Sequence, residues 1–119
     1  MRTVGAALDE LVGRLRAAGF RADVDPELLN LDPAAVWVQP REVRDRLKDS
    51  ATLVVWLYLI VSGQETAHAL TLLDDGLEGL LELVDLADSD DVIDLTAAVL
   101  LPGLTTPLPA YRLAADLDL

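Results

Sequence analysis

Few residues in this chain have the type and spacing needed for covalent chemistry. His68 is the only histidine. A general base or metal ligand needs a partner within hydrogen-bonding or coordinating reach. Toward the C-terminus its helical neighbours are Thr71 and Leu72, and the one local carboxylate is Glu65, a turn earlier. Nothing completes a constellation, so a surface or partly covered histidine is the plainer reading. Asp74-Asp75 and Asp88-Ser89-Asp90-Asp91 offer oxygen donors to a hard cation, but neither has the alternating spacing and closing glutamate of an EF-hand loop. A turn before Val92 and a wetted helix surface account for them. Gly5, Gly13 and Gly19 form no phosphate-cradling loop after a strand, and Ser50, Ser62 and Ser89 lack the setting of a nucleophile elbow. There are no cysteines, which excludes disulfides, thiolate metal sites and cysteine nucleophiles together and fits a reducing compartment. The expectation is a protein that is not an enzyme, with no catalytic residues, cofactor or metal.

Charge is more informative. The 119 residues carry a net charge of −12. Such a chain repels nucleic-acid backbones and anionic membrane surfaces. Residues 1–50 hold eight basic against nine acidic residues, whereas residues 51–119 hold only Arg112 against twelve acidic ones. Hydrophobic residues make up 52% and aromatics 4%, so Leu, Val and Ala must fill the core, and flat stacking surfaces for bases or sugars are scarce. The longest apolar run, Leu53 to Val61, is shorter than the ~20 residues of a spanning helix. Asp9 and Glu10 interrupt any apolar signal core, so the expectation is a soluble protein with no membrane partner.

The elements that must position these groups follow from periodicity. Val4, Leu8, Leu11, Leu15 and Ala18 make one helical stripe, with Thr3 as cap, Glu10 and Arg14 as an ion pair one turn apart, and Gly19 as terminator. Phe20 to Asp25 alternates as a short strand. Ala35 to Val38 forms a second, stopped at Pro40, after a Pro-bracketed loop with one helical turn at Glu27 to Asn30. Arg41 to Lys48 is either a short helical turn or the arm of a long hairpin. Thr52 to Val61 is a strand apolar on both faces, which belongs in mid-sheet with a helix over one side and the chain or a neighbour over the other.

Gln64 to Ala87 reads as the longest helix. Its inner stripe contains Ala69, Leu73, Gly76, Leu77, Leu80, Val84 and Ala87, and its polar line contains His68, Thr71, Asp75, Glu78, Glu82 and Asp85. Gly76 and Gly79 each cost about 1 kcal/mol of helix propensity, so close packing or a bend is expected there. Val92 to Leu101 alternates, with Ile93, Leu95, Ala97 and Val99 on one face, and a last strand runs from Leu108 to Leu117. The order is α-β-β-β-α-β-β. This predicts an α+β fold with a mixed, mostly antiparallel sheet of four to five strands and two main helices in one domain, residues 1–119.

Two charged segments could meet between copies. Arg41, Arg44, Arg46 and Lys48 are interleaved with Glu42, Asp45 and Asp49, which fits a solvated segment or a protein interface better than a nucleic-acid site. The line through Glu78, Glu82 and Asp85 is either the wet face of an amphipathic helix or a contact surface. Placed against each other in neighbouring subunits, the two would form a head-to-tail contact of the kind that builds rings.

Four stretches carry a family likeness. They are the helix end Leu15-Arg16-Ala17-Ala18-Gly19-Phe20, the Pro-flanked strand Pro33-Ala34-Ala35-Val36-Trp37-Val38-Gln39-Pro40, the apolar strand Thr52-Leu53-Val54-Val55-Trp56-Leu57 leading into a Leu-rich helix, and Leu108-Pro109-Ala110-Tyr111-Arg112-Leu113 entering the last strand. In that order, over nearly the whole chain, the sequence resembles the tail terminator (tail completion) proteins of long-tailed bacteriophages. The resemblance implies a ring, usually a hexamer, docked on the end of the tail tube. Such a ring stops polymerisation of the tube protein and presents a surface to the head-tail connector protein. It implies residence in the virion, at the head-proximal end of the tail, after synthesis in the host bacterial cytoplasm. It carries over no catalytic residue. DNA must slide through such a lumen without specific binding, and an acidic surface would repel its phosphates. Two alternatives stay open: a head-completion or neck adaptor protein, and an acidic binding module (an inhibitor or DNA mimic) acting on a basic partner. A small hydrolase or isomerase would need a pocket of perturbed carboxylates.

Overall fold

The computed structural model describes residues 1–31, 33–62, 66–88 and 90–119. Gly63, Gln64, Glu65 and Ser89, to which the sequence assigns a strand end, a helix start, a neighbour for His68 and a turn, lie outside the described residues.

Helix α1 (Val4–Ala17) starts where the Thr3 hydroxyl accepts from the Ala6 amide at 3.1 Å and buries Ala7, Leu8, Leu11, Val12 and Leu15. Gly19, at φ 97°, ends it, and the Phe20 amide returns to the Leu15 carbonyl at 3.0 Å, closing the last turn. The expected Glu10–Arg14 pair is replaced, since Glu10 pairs with Arg2. The Arg16 side chain donates to the Ala22 carbonyl and the Asp23 carboxylate and so ties the helix to strand β1 (Ala22–Asp23). That strand is shorter than expected because Asp25 caps a 3-10 turn at Pro26–Leu28.

β1 runs parallel to β2 (Ala34–Arg44), which pairs antiparallel with β3 (Thr52–Val61). β3 pairs antiparallel with β5 (Leu108–Asp118), and β5 with the edge strand β4 (Asp94–Val99). The result is an α+β protein with a five-stranded mixed sheet in the order β1-β2-β3-β5-β4. α1 and α2 (Thr66–Leu83) pack on one face, over Val36 and Val38 of β2, Leu57 and Leu59 of β3, and Leu113 and Ala115 of β5.

Three expectations are corrected. β2 does not stop at Pro40 but runs on to Arg44 as a hairpin arm. The register shifts between Pro40 and Glu42, and a bulge is where a residue without an N–H fits a paired strand. α2 ends at Leu83 rather than Ala87. It has no basic residue in its last turn to meet the dipole, and Leu86 instead bridges to Ala115 of β5. In β4 the single-faced alternation breaks between Asp94 and Ala97. The Asp94 carboxylate accepts from the Thr96 amide and hydroxyl, both at 2.8 Å, and this local turn inserts the extra residue. Ile93 therefore packs with the helices, Ala97 and Val99 lie on the opposite face, and Leu95 is exposed.

Gly76 and Gly79 do mark close packing. A methyl group on Gly76 would lie 2.6 Å from Leu59 Cδ2, and one on Gly79 would lie 3.0 Å from Phe20 Cζ.

Candidate interaction surface

The face of the sheet turned away from the helices carries three of the five aromatic residues. Register explains how. Trp37 of β2 pairs with Tyr58 of β3, Tyr58 with Arg112 of β5, and Arg112 with Asp94 of β4, so the four form one row across the sheet. The next row is Gln39, Trp56 and Ala114, and the one beyond runs from Glu42 through Val54 to Asp116. Trp37 stacks on Tyr58 at 5.2 Å between centroids, and Tyr58 meets Trp56 edge to face at 6.2 Å. Arg41 and Arg112 each place a guanidinium over the Trp56 ring, at 4.8 and 4.6 Å. Guanidinium over indole is the strongest common cation–π pair, about 0.5–2 kcal/mol depending on desolvation.

The surface is a trough. At one end Leu29, Leu31 and Leu101 cover Ile60 and Ala110; at the other, Ala87 packs on Val54 and Ala114. Between them Trp37, Trp56, Tyr58 and Arg112 remain half-buried. The Trp56 indole N–H is buried without an acceptor among the described residues.

Electrostatics divide the charged groups into occupied and free. Arg41 is held by Asp90 at 3.1 Å and by Glu42 at 3.5 Å. Arg44 binds Glu42 at 2.9 Å, and that hydrogen bond holds the Glu42 carboxyl below its ordinary range. The bonds from Thr96, with a smaller contribution from Arg112, do the same for Asp94. Arg112 has no carboxylate within 4.0 Å among the described residues. Asp116 goes the other way: burial pushes its carboxyl up, with one oxygen unpartnered among the described residues, although the Asp88 amide pulls it down. It lines an open cleft with Asp85, Asp88 and Asp118. Among the described residues no acidic or histidine cluster has metal-holding geometry, and no helix is long and apolar enough to cross a membrane.

No family model, curated protein or solved structure matches this chain.

The residues singled out from sequence fall into two regions on opposite sides of the sheet. Arg41 and Arg44 lie on the sheet face with their own carboxylate partners, and Arg46 and Lys48 sit exposed in the hairpin turn. Glu78 and Glu82 are exposed on α2, in line with Thr71 and Asp75, and Asp85 is exposed just beyond its end. His68 is exposed near the helix start. Sequence reasoning missed the aromatic row. The two-residue spacing of Trp56 and Tyr58 puts them on one face, but only the strand register brings Trp37 and Arg112 beside them.

Proposed function

We propose that this protein is a non-enzymatic structural subunit that works by self-assembly, as a ring of the kind formed by the phage tail terminators it resembles. Such a ring would cap the tail tube, end its polymerisation and meet the head-side connector. One observation carries the reading: helices cover a single face of the sheet, while the other keeps half-buried aromatic and arginine side chains. Tyr, Trp and Arg at the centre of a patch are the composition of interface anchors. An acidic exterior, −12 overall, suits a channel through which DNA slides without binding.

Native mass spectrometry of the purified chain, alone and with tail tubes, tests this. The expected result is a closed oligomer, six subunits by the family likeness, that binds tube ends and blocks further tube growth. A chain that stays monomeric in both conditions refutes it. The cleft formed by Asp85, Asp88, Asp116 and Asp118 favours a second reading, an acidic module for a basic protein. That reading predicts a stable monomer or dimer that captures a cationic partner.

A further inference from the structure

If copies assemble, the fold also indicates which surfaces meet. Arg112 is half-buried over Trp56 and lacks a carboxylate partner among the described residues. A guanidinium partly withdrawn from water, with its donors uncommitted, is suited to a carboxylate arriving from outside. Asp94, the cross-strand neighbour of Arg112, acts on it only from beyond ion-pair distance and accepts from Thr96, and Asp90 is paired with Arg41. The outward face of α2 has the complementary chemistry. Asp75, Glu78 and Glu82 are exposed on it, no Lys or Arg occurs between Thr66 and Leu83, and Leu70 and Leu81 stand beside the acids at 47% and 40% exposure. The helix is also long enough: 18 helical residues span about 27 Å, and the outer strands of the five-stranded sheet lie about 19 Å apart.

We infer that α2 of one copy docks across the open sheet face of a second copy. A Glu78 or Glu82 carboxylate meets Arg112, and Leu81 packs against the Trp56–Tyr58 surface. Helices would then cover both faces of each sheet. The donor and acceptor surfaces lie on opposite sides of the molecule, so the contact is head-to-tail and does not close as a two-fold dimer; it builds a ring when the rotation between successive copies closes. This refines the self-assembly reading on which it rests. It also moves the basic partner of the α2 acids from the 41–48 segment to Arg112.

The test uses the full chain as wild type, Arg112→Glu, and the double variant Glu78→Lys/Glu82→Lys, in sedimentation velocity and native mass spectrometry at high micromolar concentration. Wild type should form an oligomer larger than a dimer, and each variant alone should be monomeric with unchanged far-UV circular dichroism. An equimolar mixture should associate again, at least to a dimer through the two unchanged faces and beyond it where the two reversed faces, now of opposite charge, pair with each other. Arg112→Gln, which keeps the side chain on Trp56 without its charge, serves if Arg112→Glu misfolds. Variants that assemble like wild type overturn this contact but leave self-assembly standing. A mixture that stays monomeric overturns the head-to-tail pairing. A monomeric wild type overturns both this contact and the reading beneath it.

Discussion

Substituting Gly76 by Ala sets two well-defined effects against each other. Helix propensity favours alanine by about 1 kcal/mol. Packing opposes it, because the new methyl would stand 2.6 Å from Leu59 Cδ2 and 3.1 Å from Cδ1. Carbon atoms rest at about 3.5–4.0 Å, so roughly 1 Å of movement is needed. Leu59 is 1% exposed in the central strand, and the space it can turn into is the cavity of about 190 Å³ that it lines with Phe20, Leu72 and Gly76 itself. Either α2 lifts off the sheet or Leu59 leaves its rotamer, and overpacking of this kind costs about 1–3 kcal/mol. The expected net effect is a loss of about 1 kcal/mol. Gly79→Ala is the internal control. Its methyl would meet only the tip of a partly buried Phe20 ring at 3.0 Å, which can pivot, so the propensity gain should survive and leave the variant neutral or stabilised by up to about 1 kcal/mol. Urea unfolding followed by tryptophan fluorescence, at fixed protein concentration, measures both variants, and equal slopes would show that the denatured states are comparable. The two midpoints should separate with Gly76→Ala lower. Gly76→Ala at or above wild type, or below it by no more than Gly79→Ala, would refute the argument that this glycine exists to let α2 approach β3.

Four further expectations rest on single groups. Thr3→Ala removes the cap on the Ala6 amide and should cost about 1 kcal/mol by urea unfolding. Tyr111→Phe removes the 3.0 Å bond from the phenol to Asp74 and should cost about 1 kcal/mol; its ring packing should persist, so the unfolding slope should not change. Burial raises the Asp116 carboxyl, so the folded state binds its proton more tightly than the unfolded chain does, and the charged form weakens the fold at neutral pH. Relative to wild type, Asp116→Asn should therefore be stabilising at pH 7, with the advantage shrinking as pH falls toward the ordinary aspartate value; an advantage that grows on acidification would reverse the assignment. Trp56→Phe keeps an aromatic face for Arg41 and Arg112 and deletes an indole N–H that has no acceptor among the described residues, so its stability should stay within about 1 kcal/mol of wild type, far less than the loss expected on removing a buried aromatic.

The elements most legible in the sequence are those whose local signals agree with their tertiary setting. Thr3, the Leu8–Leu11–Leu15 stripe and Gly19 each act locally, and α1 begins and ends where they indicate. The doubly apolar strand from Thr52 to Val61 is likewise central. The sequence misleads where a non-local pairing overrides a local signal. Pro40 reads as a stop, yet ten paired positions along β3 outweigh one missing donor once a bulge absorbs it. The apolar period past Leu83 reads as helix, yet Leu86 and Ala87 find partners on β5. The candidate interaction surface was half legible. Its two sides, an acidic helix line and an unevenly charged chain, are composition and periodicity. Its centre is register, which no single segment encodes.

That division bears on how the fold and the proposed assembly are related. The helix face of the sheet is filled almost entirely by aliphatic side chains, which exclude water and carry no orientation of their own. The chain's indoles and three of its arginines, Arg41, Arg44 and Arg112, are placed instead on the face that the helices leave open. Such side chains are ill suited to one solvent-facing side of a small sheet, where polar residues would serve and an indole donor without an acceptor among the described residues would not arise. They become intelligible if a second layer arrives. A helix laid over Trp56 would strengthen both cation–π contacts by desolvating them, and a carboxylate brought to Arg112 would supply the partner that the subunit's described residues do not. Covering that face should therefore stabilise the subunit as well as join it to its neighbour. The melting temperature of wild type should rise with protein concentration, and that of Arg112→Glu should not.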